Sequence, residues 1–220
     1  NKFRKFGVAS ASAFALMATA PITFAETVQP GDGVSVSIAQ PNDDTGWIMS
    51  AVYAQLLEEL GYDVAEPVTL DVPVAYVSVS QGDMDLYPDG WFPLHNTYVD
   101  QPGFAATPTG YVVEKGALQG YLVDKASAEK FDIKTLDDFK RPEVREAFDR
   151  NGDGLADMTA CPPGWGCELM IQFHMDAFDL REAINPIKAG YSASMADTIA
   201  AFEQGQPILF YTWTPNWTVD

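Results

Sequence analysis

Basic residues are few in this sequence. Lys and Arg together number 13 against 31 Asp and Glu, which gives a formal net charge of -18 at pH 7. Nucleic acid and anionic lipid are also negatively charged and would be repelled, so neither is expected as a partner. The excess of acid favours solubility. Because 47% of the residues are apolar and 12% are aromatic, the chain can still bury a core, which excludes a disordered or fibrous protein.

The N-terminal region lacks an apolar run long enough to cross a bilayer. Its apolar stretch covers residues 7–20, whereas a spanning helix needs about 20 apolar residues. The stretch follows a basic start and is followed by Ala25, a pattern typical of an export signal that is removed at residues 1–25. A single-span anchor is the alternative. No cysteine follows the stretch, so a lipoprotein is not expected, and the mature protein should lie outside the cytoplasm.

Cysteine and histidine are scarce, with two of each in 220 residues. Cys161 and Cys167 bracket the loop Pro-Pro-Gly-Trp-Gly. A structural zinc ion would need four ligands, so in an exported chain a disulfide is favoured over a metal site. Such a bond would close a tight loop and hold Trp165 in one orientation.

A catalytic constellation is also missing. Neither His95 nor His174 is accompanied by a Gly-x-Ser-x-Gly motif or by a cluster of metal ligands. We therefore expect neither an enzyme nor a cofactor. A secreted hydrolase that uses His95 as a base is the alternative, and it would show turnover where a binding protein shows only saturable binding.

Strand-like and helix-like stretches alternate along the mature chain. A strand-like stretch over residues 34–38 precedes a helical pattern over residues 47–60, and a second series begins with a strand at residues 118–123. This alternation predicts α/β layers with mostly parallel sheets. Two successive series predict two lobes, residues 26–115 and 116–213, with a cleft between them where a ligand would bind.

Three of the five tryptophans occur in unusual settings. Trp91 follows Asp-Gly, Trp165 lies between two glycines, and Trp213 precedes Thr-Pro. All three fall in turns or at strand ends, where an indole has little core to pack into. Indole faces bind cations well, and enclosing a quaternary ammonium group is their main functional use. We interpret the three as an aromatic cage, with ordinary core aromatics or the sugar-stacking platform of a carbohydrate-binding module as alternatives.

Hydrogen-bond donors accompany these tryptophans. Gly166 and Cys167 open a predicted helix, so their backbone N–H groups are free donors at the positive end of the helix dipole. His95 lies four residues after Trp91 and can donate to an anionic group. A cation-binding face beside donors for an anion predicts a site for a zwitterion.

One loop is similar to the front of a calcium-binding loop. Oxygen-bearing side chains occupy its positions 1, 3, 5 and 9, and glycine occupies position 6. Ala160 stands where the acid of position 12 is expected. A structural turn is the favoured interpretation, and the candidate metal ligands are Asp149, Asn151, Asp153 and Asp157.

Several stretches together resemble a known family, the periplasmic glycine betaine/proline betaine-binding proteins of osmoregulatory ABC importers. The resemblance covers most of the chain from about Gly33 onward, and the cysteine-bracketed tryptophan is its most specific motif. The stretches that carry it are residues 90–95, 148–157, 161–168, 195–199 and 210–215.

The resemblance implies a type II, two-lobed periplasmic binding protein fold that closes about a hinge. It implies that Trp91, Trp165 and Trp213 box the methylated ammonium, and that His95 with the backbone of Gly166 and Cys167 binds the carboxylate. A permease in the inner membrane would be the partner of a monomeric protein in the periplasm.

Two departures from the family follow from the same comparison. Family members run past position 220 and return to complete the first lobe, so we expect a C-terminally truncated chain in which residues 214–220 begin that return. Trp47 follows Asp-Asp-Thr-Gly at a predicted strand-to-helix turn, where binding proteins often place ligand groups, and is a possible fourth contact. Core packing is its alternative role.

Overall fold

The computed structural model describes residues 28–219, and the predicted export signal over residues 1–25 lies outside this part of the chain. The strands are β1 Ser35–Val36, β2 Ala39–Gln40, β3 Asp63–Val64, β4 Val68–Thr69, β5 Gln119–Val123, β6 Ala156–Thr159, β7 Ile184–Ile187 and β8 Leu209–Trp213. The α-helices are α1 Asp44–Glu59, α2 Val72–Gln81, α3 Asn96–Val99, α4 Lys125–Phe131, α5 Pro142–Phe148, α6 Gly166–Ala177 and α7 Tyr191–Glu203. Short 3-10 helices cover Leu136–Lys140 and Trp217–Val219. None of the helices within residues 28–219 combines the length and apolarity that a membrane span requires.

The first series of elements forms two small parallel sheets. β1 pairs with β3 and β2 with β4, and a single bridge joins Ile38 to Leu86. Helix α1 begins after Asp43, whose carboxylate accepts the backbone N–H of Gly46 at 3.0 Å, as the capping residue of a helix does. This cap fixes the position of Asp43 at the end of the loop that follows β2.

The second series forms a four-stranded sheet with the order β5-β8-β6-β7. β6 is parallel to β7 and β8, whereas β5 is antiparallel to β8. The main core lies against this sheet and includes Phe139, Phe148, Met158, Ile171 and Leu209, each at most 1% exposed. This packed sheet provides a rigid base for the residues at the end of β8.

Most of the predicted elements are present with shifted ends. The helix predicted over residues 47–60 begins at Asp44, because Asp43 caps it. The strand predicted over residues 34–38 is split into β1 and β2. Sequence analysis did not predict β3 and α3, which have two and four residues. Segments of this length are too short to show a periodic pattern of apolar residues. Mostly parallel sheets are confirmed, with the β5–β8 pair as the exception.

Candidate functional site

The three tryptophans singled out in the sequence lie together. Trp91 follows the turn at Gly90, Trp165 directly precedes α6, and Trp213 ends β8. The ring centroids of Trp91 and Trp213 are 6.3 Å apart, and those of Trp165 and Trp213 are 5.9 Å apart, with interplanar angles of 74° and 65°. Three separate segments therefore bring differently oriented indole faces to one place.

Trp213 is the most enclosed of the three, at 5% exposed. Its Nε1–H donates to Thr45 Oγ1 at 3.3 Å, and its ring centroid lies 4.6 Å from that of Tyr191. Tyr191 also stacks on Trp165 at 6.2 Å and 29°. Sequence reasoning missed Tyr191, because a tyrosine in the first turn of a helix has nothing to set it apart.

The predicted disulfide is confirmed. Cys161 and Cys167 are bonded, with their Cα atoms 6.0 Å apart, and they close the loop that carries Trp165. Cys167 lies in the first turn of α6 directly after Gly166, where backbone N–H groups have no acceptor within the helix. The cross-link therefore fixes the indole next to these two donors.

His95 faces the first turn of α6. A Cβ at Gly166 would lie 2.9 Å from His95 Cδ2 and 3.2 Å from His95 Nε2, so glycine permits this approach. Nδ1 accepts the backbone N–H of Trp91 at 3.1 Å and lies 2.9 Å from the Tyr76 hydroxyl. Burial lowers the pKa of His95 to about 4, so the ring is neutral near pH 7. Because Nδ1 accepts, the proton is on Nε2, which makes Nε2–H a donor beside Gly166.

One cavity joins these groups. Its empty volume, together with the solvent space at its mouth, is about 380 Å³. The indole of Trp213 lies only 6.3 Å from that of Trp91 and 5.9 Å from that of Trp165, so the walls of the cavity stand close together. The six residues predicted to form the cage and to bind the carboxylate all line the cavity: Trp91, Trp165, Trp213, His95, Gly166 and Cys167.

Two acidic side chains that the sequence did not single out also line the cavity. Asp43 is 4% exposed and Asp89 is 8% exposed. Burial and, second, the charge of Asp43 raise the pKa of Asp89 to about 7, while a hydrogen bond from Trp91 acts in the opposite direction. That bond runs from Trp91 Nε1–H to Asp89 Oδ1 at 3.0 Å. The pKa of Asp43 is also raised, chiefly by burial.

Trp47 lies apart from the other predicted contacts. It is in the first turn of α1, is 41% exposed, and does not line this cavity. The structure therefore brings six of the seven predicted ligand residues together and leaves Trp47 outside the group.

The loop similar to a calcium site is held by its own hydrogen bonds. Asp149 and Asp157 accept five backbone N–H groups of the loop at distances from 2.7 to 3.2 Å. Asp153 Oδ2 accepts the Asn185 side-chain amide at 2.8 Å. Among residues 28–219, no three His, Cys, Asp or Glu side chains are grouped to hold a metal ion. These bonds support the structural-turn interpretation.

Solved structures share this fold. Lactococcal OpuAC, in its closed-liganded conformation with glycine betaine, superimposes with a TM-score of 0.69 at 21% identity, covering 84% of this chain and 67% of that one. An ABC-transporter choline binding protein in complex with choline gives a TM-score of 0.64 at 23% identity, covering 83% of this chain and 60% of that one. The predicted fold, a two-lobed type II periplasmic binding protein, is confirmed.

Proteins with similar sequences point to the same family. The glycine betaine/proline betaine-binding periplasmic protein of Salmonella typhimurium is 40% identical over 211 residues, which are 96% of this chain and 63% of the relative. The chain thus spans less than two thirds of that relative's length. The family model described as the substrate binding domain of ABC-type glycine betaine transport system, OpuAC, matches residues 34–220. The chain therefore belongs to the family of substrate binding domains of ABC-type glycine betaine transport systems.

Proposed function

We propose that this protein captures glycine betaine, or a related zwitterion with a methylated ammonium group, and delivers it to the permease of an ABC importer. The observation that carries the proposal is the composition of one cavity wall: three indoles beside the Nε2–H of His95 and the N–H groups of Gly166 and Cys167. The names of the relatives agree with this ligand class.

The indoles would bind the methylated cation. A quaternary ammonium group has no N–H to donate, so it is held by its charge and by apolar contact. Each indole face contributes roughly 0.5–2 kcal/mol, depending on desolvation. Three faces would then supply a few kcal/mol of the roughly 8 kcal/mol that a micromolar site requires.

The donors would bind the carboxylate of the same ligand. His95 is neutral, so it presents one N–H from Nε2 and places no fixed charge in the cavity. The backbone N–H groups of Gly166 and Cys167 lie at the positive end of the α6 dipole. Hydrogen bonds to a charged acceptor contribute about 1.5–3 kcal/mol each. Cation and anion would thus be recognised by different groups within one small space.

Lobe closure would complete this site. We assign residues 26–115 to the first lobe and 116–213 to the second, with 214–220 beginning the return. Two hydrogen bonds between these lobes support a closed arrangement. The Tyr98 hydroxyl donates to the Gly164 carbonyl, and Trp213 Nε1–H donates to Thr45 Oγ1.

A ligand that contacts both lobes would favour the closed form, which the permease would recognise. We place the protein in the periplasm as a monomer that is exported by a cleaved signal. The role is transport without catalysis, and the proposal includes neither a cofactor nor a nucleic-acid partner.

Isothermal titration calorimetry tests the proposal. Glycine betaine should give saturable heat, whereas glycine, which has the same carboxylate but an unmethylated and strongly hydrated ammonium, should give none at the same concentrations. If no methylated cation binds to protein that circular dichroism shows to be folded, the proposal is wrong.

Choline is the second candidate ligand. Asp43 and Asp89 line the cavity, and carboxylates suit a cation that brings no carboxylate of its own. A comparison of the two dissociation constants decides between the candidates. Tighter binding of glycine betaine favours the His95, Gly166 and Cys167 donors as the determinant, and tighter binding of choline favours the two acids.

A further inference from the structure

Two buried carboxylates share the ligand cavity. Asp43 ends the loop before α1, and Asp89 lies in the turn before Trp91. They are 4% and 8% exposed, and none of the ion pairs within residues 28–219 involves either of them. Two buried negative charges without a cationic partner in one narrow cavity repel each other and are poorly solvated.

Neutral hydrogen-bond donors compensate only part of the charge on these two carboxylates. Asp43 Oδ1 accepts the Gly46 N–H at 3.0 Å, and Asp89 Oδ1 accepts Trp91 Nε1–H at 3.0 Å. Each bond occupies one oxygen and compensates less than a full charge. When the cavity is empty, a proton on one of the carboxyl groups removes the repulsion between them.

We propose that Asp43 and Asp89 together hold one proton while the cavity is empty, and that entry of a quaternary ammonium ligand expels it. This inference rests on the proposed function. The O–H bond of one carboxylic acid breaks, the electron pair stays on the carboxylate, and the proton passes to water. The ligand has no exchangeable proton on nitrogen, so the proton must appear in the buffer.

The surroundings support this coupling. Burial, followed by the charge of Asp43, raises the pKa of Asp89 to about 7. Asp44 lies next to Asp43 and its charge also raises the pKa of Asp43. On α6, Glu168 is neutralised by Lys188 at 2.6 Å. The remaining titratable groups around the pair are neutral near pH 7, since burial raises the pKa of each tyrosine and lowers that of the histidine: Tyr76, Tyr87, Tyr98, Tyr191 and His95.

The walls of the cavity restrict the positions that a bound cation can occupy. The Asp89 carboxylate accepts a hydrogen bond from the Trp91 indole. Because the cavity is narrow, an ammonium group bound over that indole would lie close to Asp89. A positive charge at that distance favours the ionised form of the pair. Binding should therefore weaken below pH 7, by about tenfold between pH 8 and pH 6 if one proton is fully expelled, and should level off above pH 8.

Calorimetry in buffers of different ionisation enthalpy measures the proton directly. Glycine betaine is titrated in phosphate and in Tris at pH 6.5, 7.5 and 8.5. We expect release of roughly 0.5–1 proton at pH 6.5, and almost none at pH 8.5, for a group that titrates at about pH 7. Choline has no group that titrates in this range. At each pH at which choline binds, it should release the same number of protons as glycine betaine.

Two substitutions assign the proton to the pair. Asp89→Asn keeps an oxygen that can accept from Trp91 and should abolish the release. Asp43→Asn keeps a good helix cap and should move the release to lower pH. Asp83→Asn makes the same change at an exposed acid and should leave the release unchanged.

Saturable binding with the same heat in both buffers at every pH would overturn the shared proton and leave the proposed function intact. Release that persists in Asp89→Asn would also overturn it. The absence of binding at any pH would remove the proposed function, and this inference with it.

Discussion

Replacing Trp165 by alanine tests the cage with little disturbance to the fold. Trp165 is half-buried in the disulfide-closed loop before α6. Trp213 is 5% exposed and packs within a hydrophobic cluster, where truncation of a large aromatic costs about 3–5 kcal/mol of stability. Loss of binding in Trp213→Ala could therefore reflect unfolding, whereas Trp165→Ala should remove mainly an indole face.

The magnitude follows from the geometry. A cation over an indole face gains roughly 0.5–2 kcal/mol, with the larger values where water is excluded. The cavity is narrow, which favours the upper part of that range. Since about 1.4 kcal/mol is a factor of ten in affinity, Trp165→Ala should weaken glycine betaine binding about tenfold or more. Trp165→Phe retains a weaker face and should lose less.

Isothermal titration calorimetry is the assay of choice, because it does not depend on indole fluorescence. Trp47→Ala is the matched control, since Trp47 is exposed and does not line the cavity; its affinity should stay within about twofold of the original. Thermal unfolding of each variant checks the fold. If Trp165→Ala and Trp91→Ala both bind as tightly as the unmodified protein, the cage does not exist.

Three further predictions follow from the same site. His95→Phe removes a donor to a charged group, worth about 1.5–3 kcal/mol, and should weaken glycine betaine binding about tenfold or more while choline changes little. Gly166→Ala places a Cβ 2.9 Å from His95 and should weaken glycine betaine binding severalfold, whereas Gly110→Ala, which meets open space, should have no effect. Asp89→Asn should stabilise the empty protein increasingly between pH 5 and pH 8, by about 2–3 kcal/mol over that interval in urea unfolding.

The sign of the last effect follows from linkage. The folded protein holds the Asp89 proton up to about pH 7, whereas the unfolded chain loses it near pH 4. Stability is therefore lost as the pH rises between these values. The opposite contribution of His95, whose pKa is lowered, is the same in both proteins and cancels in the difference. A difference that does not change with pH would contradict the raised pKa of Asp89, and equal losses of both ligands in His95→Phe would contradict its carboxylate role.

Local signals in the sequence identified much of the site. Trp91 and Trp165 stand in glycine- and proline-rich turns, where an indole has no obvious packing role, and Cys161 and Cys167 bracket one of those turns. His95 is close enough in the chain to share the turn of Trp91. Each signal lies within a few residues, which is why inspection of the chain could find it.

Other parts of the site depend on tertiary contacts. Asp43 and Asp89 are 46 residues apart in the numbering and become a pair only when the loops before α1 and after α2 meet. Thr45 supports Trp213 across 168 positions. The antiparallel pairing of β5 with β8 likewise depends on the return of the chain, which local periodicity does not encode. Trp47 had a suggestive setting, yet the capped start of α1 directs it elsewhere.

The most direct test of the central claim is a crystal structure of the protein with glycine betaine. The account predicts the methylated nitrogen within about 6 Å of the ring centroids of Trp91, Trp165 and Trp213. It also predicts the carboxylate within hydrogen-bonding distance of His95 Nε2 and the backbone nitrogens of Gly166 and Cys167. A ligand bound outside this cavity, or bound with its carboxylate against the indoles, would contradict it.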